Sequence, residues 1–128
     1  MKILALDDEK NSLKMLERVI RLAEPAAELM CTTDYDAALL WAQEQNPDIT
    51  FLDIEMQGLS GLNAARELKR MNPRVNIIFV TGYSQYAMEA ISLHSSGYIL
   101  KPADATDIRR ELDNLLYPAK TTPPPRGG

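Results

Sequence analysis

Short apolar runs alternate along the chain with stretches in which apolar residues recur every three or four positions. Five of these runs are too short for buried helices and are predicted to be strands, at residues 2–6, 28–33, 49–53, 75–80 and 97–100. Each is followed by a helical pattern, at about residues 12–24, 36–45, 61–71, 84–93 and 104–116. A strand and a helix repeated five times predict a parallel α/β sheet with right-handed crossovers and helices on both faces.

The apolar content of each run indicates where it lies in the sheet. The third and fourth runs are the most apolar and suit strands buried on both faces. The second contains Glu28, Thr32 and Thr33, which favours a position near an edge. The apolar stripes predict which helix residues face the core, and we expect Leu62, Ala65, Leu68 and Met71 in the third helix and Ile108, Leu112, Leu115 and Leu116 in the fifth.

The chain of 128 residues fits one domain, which we predict to span residues 1–117. Residues 118–128 contain four of the eight prolines and end in Pro-Pro-Pro-Arg-Gly-Gly. This composition predicts an unstructured or extended tail and is typical of an interdomain linker.

Composition narrows the function classes. A formal net charge of −4 argues against direct nucleic-acid binding. The single cysteine, Cys31, excludes a disulfide framework within the chain and suits a reducing compartment. No apolar run approaches the length of a membrane span, and the acidic cluster at residues 7–9 comes too early for a signal peptide. We therefore expect a cytoplasmic protein with no membrane contact.

Polar residues follow four of the predicted strands. Asp7 and Asp8 follow the first, Asp53 ends the third, and Thr81 and Lys101 follow the fourth and fifth. Ligands of open α/β sheets bind beyond the carboxyl ends of the strands, so these side chains are expected to share one pocket.

The residue types in that pocket suit phosphoryl chemistry. Three crowded carboxylates repel one another, and Mg²⁺ would relieve the repulsion while keeping several of its waters. Lys101 adds a positive charge, and the Thr81 hydroxyl can donate to an oxyanion. Asp53 is then the candidate nucleophile for a phosphoryl group.

Residues 1 to about 117 resemble the receiver domain of bacterial two-component response regulators. The resemblance rests on Leu6-Asp7-Asp8-Glu9, Phe51-Leu52-Asp53-Ile54-Glu55-Met56, Gly61, Val80-Thr81-Gly82 and Tyr98-Ile99-Leu100-Lys101-Pro102. It implies a flavodoxin-like, doubly wound (βα)5 fold with strand order 2-1-3-4-5. It also implies phosphoryl transfer from the phosphohistidine of a sensor histidine kinase to Asp53, without enzymatic turnover of a separate substrate.

The same resemblance implies a role for each site residue. Asp8, Asp53 and the backbone carbonyl of Glu55 would bind Mg²⁺ or Mn²⁺, and Asp7 would act through a water. Thr81 and Lys101 would bind the phosphoryl oxygens, and Tyr98 would turn inward as a switch. The Lys101–Pro102 peptide bond would be cis. Gln57 and Gly82 stand where proline and alanine are common in the family, and neither change removes a chemical group.

The segment 81–90 resembles receivers that precede LytTR-type DNA-binding domains. No such domain is present in this sequence, so the chain is either a fragment of a transcriptional regulator or a stand-alone receiver acting by protein–protein contact. The fourth helix, fifth strand and fifth helix would form the output face or a phosphorylation-dependent homodimer contact. The exposed candidates on that face are Tyr83, Tyr86, Ala87 and Ile91.

Three other functions stay open at this point. Asp53-Ile54-Glu55 faintly resembles the paired acids, two positions apart, of aspartyl-nucleophile phosphatases of the haloacid dehalogenase type. It departs from them in that the second acid of this chain is glutamate. A flavodoxin-like cofactor binder would need a phosphate-binding loop where Asp7-Asp8-Glu9 stands. A degenerate receiver would signal without phosphate, which the complete set of acids and lysine disfavours.

Overall fold

Strands and α-helices alternate in the computed structural model, which describes residues 1–119. The strands are β1 (Lys2–Leu6), β2 (Glu28–Thr32), β3 (Ile49–Leu52), β4 (Asn76–Thr81) and β5 (Gly97–Leu100). The helices are α1 (Lys10–Ala23), α2 (Tyr35–Gln45), α3 (Ser60–Met71), α4 (Ala87–Ser92) and α5 (Ala105–Asp113), and a 3-10 turn at Gln57–Leu59 precedes α3. Most of the predicted tail, from residue 120 onward, lies outside the described residues.

The five strands form one parallel sheet in the order β2-β1-β3-β4-β5, which confirms the predicted fold class and strand order. Strand β2 lies at an edge, as its weaker apolar character indicated. Every residue of β3 and of β4 is buried, because both strands are covered on both faces.

Two apolar layers lie between the sheet and its helices, one on each face of the sheet. One face of the sheet packs against residues of α2, α3 and α4, including Ala38, Leu62 and Ala90. The other face packs against α1 and α5 through residues such as Leu16 and Ile108. Alternate strand residues enter opposite layers, which is the period of two expected for a doubly wound sheet.

Two helices are shorter than the periodicity predicted. The expected helix at 84–93 narrows to Ala87–Ser92, and the expected helix at 104–116 ends at Asp113. The inward positions predicted for Met71 and Leu116 are wrong, since these side chains are 43% and 55% exposed. Leu115 does pack against the layer of α1 and α5.

The early end of α5 has a structural cause in the buried side chain of Asn76. The Asn76 amide donates to the carbonyls of Asp48 and Tyr117, at 3.1 and 2.9 Å. Its carbonyl oxygen accepts from the Tyr117 amide at 3.0 Å and from the Ser96 hydroxyl at 2.7 Å. These bonds draw the chain after α5 onto the start of β4, which a continued helix would prevent.

The helices among residues 1–119 lack the combination of length and apolar character that crossing a bilayer requires.

Candidate functional site

The carboxyl ends of β1 and β3 lie side by side and deliver the acidic residues of the site. Leu6 pairs with Leu52 in the parallel register, so Asp7 and Asp53 follow at the same edge of the sheet. The Asp53 amide donates to the Leu6 carbonyl at 3.1 Å and continues the ladder by one residue. The two aspartates are therefore positioned by buried strands and not by mobile loops.

The carboxylates of Asp7, Asp8 and Asp53 converge, as the sequence predicted. One oxygen atom from each of the three carboxylates lies within 4.8 Å of those from the other two. Asp7 is 1% exposed and Asp53 7% exposed, whereas Asp8 lies at the surface. This arrangement leaves the cluster open on the side of Asp8, where a cation or an anionic donor can enter.

Lys101 faces the acids from the end of β5. Its ammonium nitrogen lies 2.9 Å from Asp7 Oδ2 and 3.1 Å from Asp53 Oδ2. The Lys101 amide donates to the Thr81 carbonyl at 2.8 Å, which fixes the lysine backbone against β4. The peptide bond between Lys101 and Pro102 is cis.

Burial and charge compete in setting the pKa values of the pair. Burial raises the pKa of the Asp53 carboxyl, and the nearby charge of Lys101 offsets part of that rise. Burial alone would lower the pKa of Lys101, but its hydrogen bond and charge interaction with Asp7, followed by those with Asp53, raise it overall. The lysine is therefore held as a cation, while burial makes the ionised form of Asp53 costly.

The donor set fits a hard divalent cation. It consists of three carboxylates on one side of a pocket, and oxygen ligands of this kind suit Mg²⁺. A cation would also favour the ionised form of Asp53, whose pKa is raised by burial and further by the charge of Asp7. Asp7, Asp8 and Asp53 are the residues that could hold such a cation. The predicted contribution of the Glu55 carbonyl stays a prediction.

The Thr81 side chain ends β4 at the same edge. Its hydroxyl oxygen is fully buried and, within the part of the chain that the structure describes, has no hydrogen-bond partner. A buried hydroxyl without a partner carries a desolvation cost, so its presence beside Lys101 favours a ligand that it contacts only in another state.

The Glu55 side chain lies outside the pocket, although its backbone borders it. The Glu55 amide donates to Asp53 Oδ1 at 3.1 Å, yet the Glu55 side chain is exposed. Its carboxylate accepts a hydrogen bond from the Tyr86 hydroxyl at 2.6 Å. Sequence reasoning missed this contact, because nothing in the pattern links residues 31 positions apart.

Three tyrosines lie together between β4, α4 and β5. Tyr98 is half-buried, its ring centroid lies 6.4 Å from that of Phe79, and its hydroxyl donates to the Tyr83 carbonyl. The rings of Tyr83 and Tyr86 meet edge to face at 6.5 Å. Tyr98 is thus joined to the segment before α4, and its role as a switch stays a prediction.

The four candidates for an output face divide into two groups. Tyr83 and Ile91 are exposed, as predicted, at 49% and 67%. Tyr86 and Ala87 are half-buried, so the prediction that they are exposed is wrong for these two. Tyr86 is buried in part because its ring packs against the layer of α2, α3 and α4.

A family comparison matches residues 3–113 to the response regulator receiver domain. The "Positive alginate biosynthesis regulatory protein" of Pseudomonas aeruginosa is 32% identical over all of this chain and 54% of its own length. The "Sensory transduction protein LytT" of Bacillus cereus is 36% identical over 88% of this chain and 46% of its own. The chain thus spans about half the length of these relatives.

Solved structures agree with the fold. A response regulator receiver domain protein from Clostridium thermocellum superimposes with a TM-score of 0.79 at 26% identity, covering 88% of this chain and 91% of that one. The chemotaxis protein CheY4 of Vibrio cholerae gives a TM-score of 0.77 at 20% identity, covering 90% and 98%. At 20% identity, the similarity to CheY4 shows a shared fold and nothing about function.

Proposed function

Because the chain belongs to the response regulator receiver domain family, we propose that it accepts a phosphoryl group on Asp53 from a sensor histidine kinase. The observation that supports this most directly is the convergence of three carboxylates, a lysine and an unpartnered buried hydroxyl at one edge of the sheet. A receiver domain is a signalling module and does not turn over a separate substrate. We propose that this encounter takes place in the cytoplasm, the reducing compartment that the single cysteine suits.

In the proposed reaction, an Asp53 carboxylate oxygen attacks the phosphorus of the phosphohistidine. A bond forms between that oxygen and phosphorus, the phosphorus–nitrogen bond breaks, and the imidazole leaves with its electron pair. Mg²⁺, when bound by Asp8 and Asp53, supplies positive charge for the transferring oxygens. Lys101 already lies 3.1 Å from Asp53 and is placed to follow a new phosphoryl oxygen.

The Thr81 hydroxyl gains a hydrogen-bond acceptor when the phosphoryl group arrives, and this gives the two states different energies. We propose that Thr81 shifts toward the phosphoryl oxygens and that the half-buried Tyr98 ring moves inward behind it. The exposed apolar surface of Tyr83, Met88, Ile91 and Leu100 would then change shape. We propose this surface as the contact for an output domain or for a homodimer.

The kinase would approach beside the pocket. A cavity of about 290 Å³ lies between the start of α1 and the segment after β5, and its lining includes Ser12, Met15, Lys101 and Pro102. Lys101 lines this cavity and lies 3.1 Å from Asp53, so we propose that part of the donor domain contacts the cavity. We propose that the output is transcriptional regulation by a DNA-binding domain beyond these residues, because the curated relatives are about twice as long and include a transcriptional regulatory protein.

The phosphatase alternative has little support from the geometry. In that alternative Glu55, the second of the paired acids, would protonate the leaving group, whereas the Glu55 carboxylate is bound to Tyr86 and lies outside the acidic cluster. A cofactor-binding role is also disfavoured, because the pocket is lined by carboxylates that repel a cofactor phosphate.

Intact-mass measurement of phosphoryl uptake from acetyl phosphate tests the proposed function. Wild type is expected to gain one phosphoryl group with Mg²⁺ and none after chelation, and Asp53→Asn is expected to gain none. Asp113→Asn is the matched control, because it makes the same change at an exposed aspartate of α5. Equal uptake by Asp53→Asn, or uptake that is independent of a divalent cation, would contradict the proposal.

A further inference from the structure

A hydrogen bond outside the acidic pocket joins the loop after β3 to the segment before α4. The Tyr86 hydroxyl donates to Glu55 Oε1 at 2.6 Å. The Tyr86 ring packs against the buried layer of α2, α3 and α4 and meets the Tyr83 ring edge to face. The hydroxyl is therefore held in place by a ring that is itself packed, which makes it a fixed donor for the Glu55 carboxylate.

The Glu55 backbone borders the pocket, but its charge does not enter it. The Glu55 amide donates to the Asp53 carboxylate at 3.1 Å, so the residue begins at the pocket rim. Among the described residues, the carboxylates that converge within 4.8 Å belong to Asp7, Asp8 and Asp53, and Glu55 is not one of them. A glutamate side chain has three rotatable bonds, so without a partner this charge could swing toward the pocket mouth.

A fourth carboxylate at the mouth would change the pocket electrostatically. The three aspartates and Lys101 already carry a formal charge of −2 between them, counting three negative charges and one positive. Another negative charge would repel an anionic phosphoryl donor and attract a divalent cation. The first effect slows labelling and the second tightens Mg²⁺ binding, whereas a general loosening of the fold would weaken both.

Building on the proposed function, we propose that Tyr86 is a positioning residue that holds the Glu55 carboxylate away from the pocket mouth. It thereby keeps the acceptor accessible to an anionic phosphoryl donor. A unit charge moved to roughly 8 Å from a doubly charged ion in water changes a rate or a binding constant about threefold to fivefold at low ionic strength. The change shrinks as salt approaches about 0.15 M, where the Debye length is about 8 Å.

The test compares Tyr86→Phe, Glu55→Gln and the double variant, with Tyr117→Phe as the matched control. Tyr117→Phe removes a tyrosine hydroxyl near the start of β4, at the opposite end of that strand from the pocket, and keeps the ring that faces Lys69. The initial rate of labelling by acetyl phosphate is measured by intact mass at saturating Mg²⁺. The Mg²⁺ dissociation constant is measured separately by calorimetry, without a phosphoryl donor.

Tyr86→Phe is expected to slow labelling about threefold and to tighten Mg²⁺ binding by a similar factor. Tyr86→Phe is expected to have no further effect in the Glu55→Gln background, because the charge is then absent, and Tyr117→Phe should behave as wild type. Slower labelling together with weaker Mg²⁺ binding would overturn the inference, because it would indicate disturbed packing. The same slowing in the Glu55→Gln background would overturn it as well.

Failure of the inference and failure of the proposed function are distinguishable. If wild type is labelled and Tyr86→Phe matches it in both measurements, the inference fails and the proposed function stands. If wild type takes up no phosphoryl group, the proposed function fails, and the Mg²⁺ titration still decides the placement of Glu55. Unchanged Mg²⁺ affinity in Tyr86→Phe would then overturn it, and tighter affinity would support it.

Discussion

Gly61 lies in the first turn of α3, directly against the carbonyl of the proposed acceptor. A Cβ atom at this position would lie 2.0 Å from the Asp53 carbonyl oxygen, 2.7 Å from Ile54 Cα and 2.8 Å from the Asp53 carbonyl carbon. All three are backbone atoms at the end of a buried strand. Gly61→Ala therefore forces α3 and the acceptor loop apart, because no side chain is available to move aside.

The size of the effect follows from these distances. Ordinary contact begins at 3.4 Å, so the nearest pair must separate by 3.4 − 2.0 = 1.4 Å. Overpacking a well-packed site costs about 1–3 kcal/mol, and we expect about 3 kcal/mol here because backbone must move. At about 4 °C per kcal/mol for a domain of this size, the expected fall in Tm is about 12 °C.

Two other glycines provide matched controls, since neither would place a Cβ within 4 Å of another group. Gly58 has φ of 60°, so Gly58→Ala is expected to cost about 1 kcal/mol through left-handed backbone alone. Gly82 has no such φ, and Gly82→Ala is expected to change stability by less than about 0.5 kcal/mol. Gly61→Ala thus tests steric overlap, Gly58→Ala tests backbone strain, and Gly82→Ala introduces neither.

Urea denaturation gives the three unfolding free energies, and intact mass after acetyl phosphate treatment gives the fraction labelled. Gly61→Ala is expected to be the least stable and to label poorly even when folded, because its Cβ displaces the Asp53 backbone. If Gly61→Ala matched Gly82→Ala in both measurements, the close approach of α3 to the acceptor would be refuted.

Three further predictions follow from buried polar groups. Thr81→Val is expected to retain stability or gain about 1 kcal/mol in urea denaturation, because the buried Thr81 hydroxyl has no partner among residues 1–119, and it is expected to reduce labelling by acetyl phosphate. Thr50→Val is the control, because Thr50 has the same kind of hydroxyl, and it should change stability without changing labelling. Asn76→Ala is expected to cost about 3 kcal/mol in urea denaturation, since several buried groups lose their partners, and a cost below about 1 kcal/mol would contradict this. Burial raises the pKa of Asp53, so without metal its carboxylate should protonate at higher pH than an ordinary aspartate, and a midpoint at 3.8 by NMR titration would contradict this.

Much of the fold could be predicted because the apolar pattern and the topology rules act together. Strands β1 and β5 have the predicted bounds, Lys2–Leu6 and Gly97–Leu100, since charged or proline-containing segments end both. The site was predictable for the same reason, because side chains at the ends of parallel strands must meet. The convergence of Asp7, Asp8, Asp53 and Lys101 follows from topology and needs no long-range information.

The features that escaped prediction depend on contacts between distant residues. The end of α5 is set by Asn76 and Ser96 drawing in Tyr117, and the helical period of residues 104–116 carries no trace of those bonds. The sequence predicts an exposed Tyr86, because the position of a residue in a helical pattern does not show where its hydroxyl reaches. Local periodicity predicts which elements form, while polar side chains decide where they end and what they join.

The most direct test of the central claim is to locate the phosphoryl group. Protein treated with acetyl phosphate and Mg²⁺ is reduced with borohydride, which converts an aspartyl phosphate to homoserine, and is then digested and sequenced by mass spectrometry. The account predicts homoserine at position 53 and unmodified aspartate at Asp7 and Asp8. Homoserine at either of those positions, or a labelled protein with unmodified Asp53, would contradict the assignment of Asp53 as the acceptor.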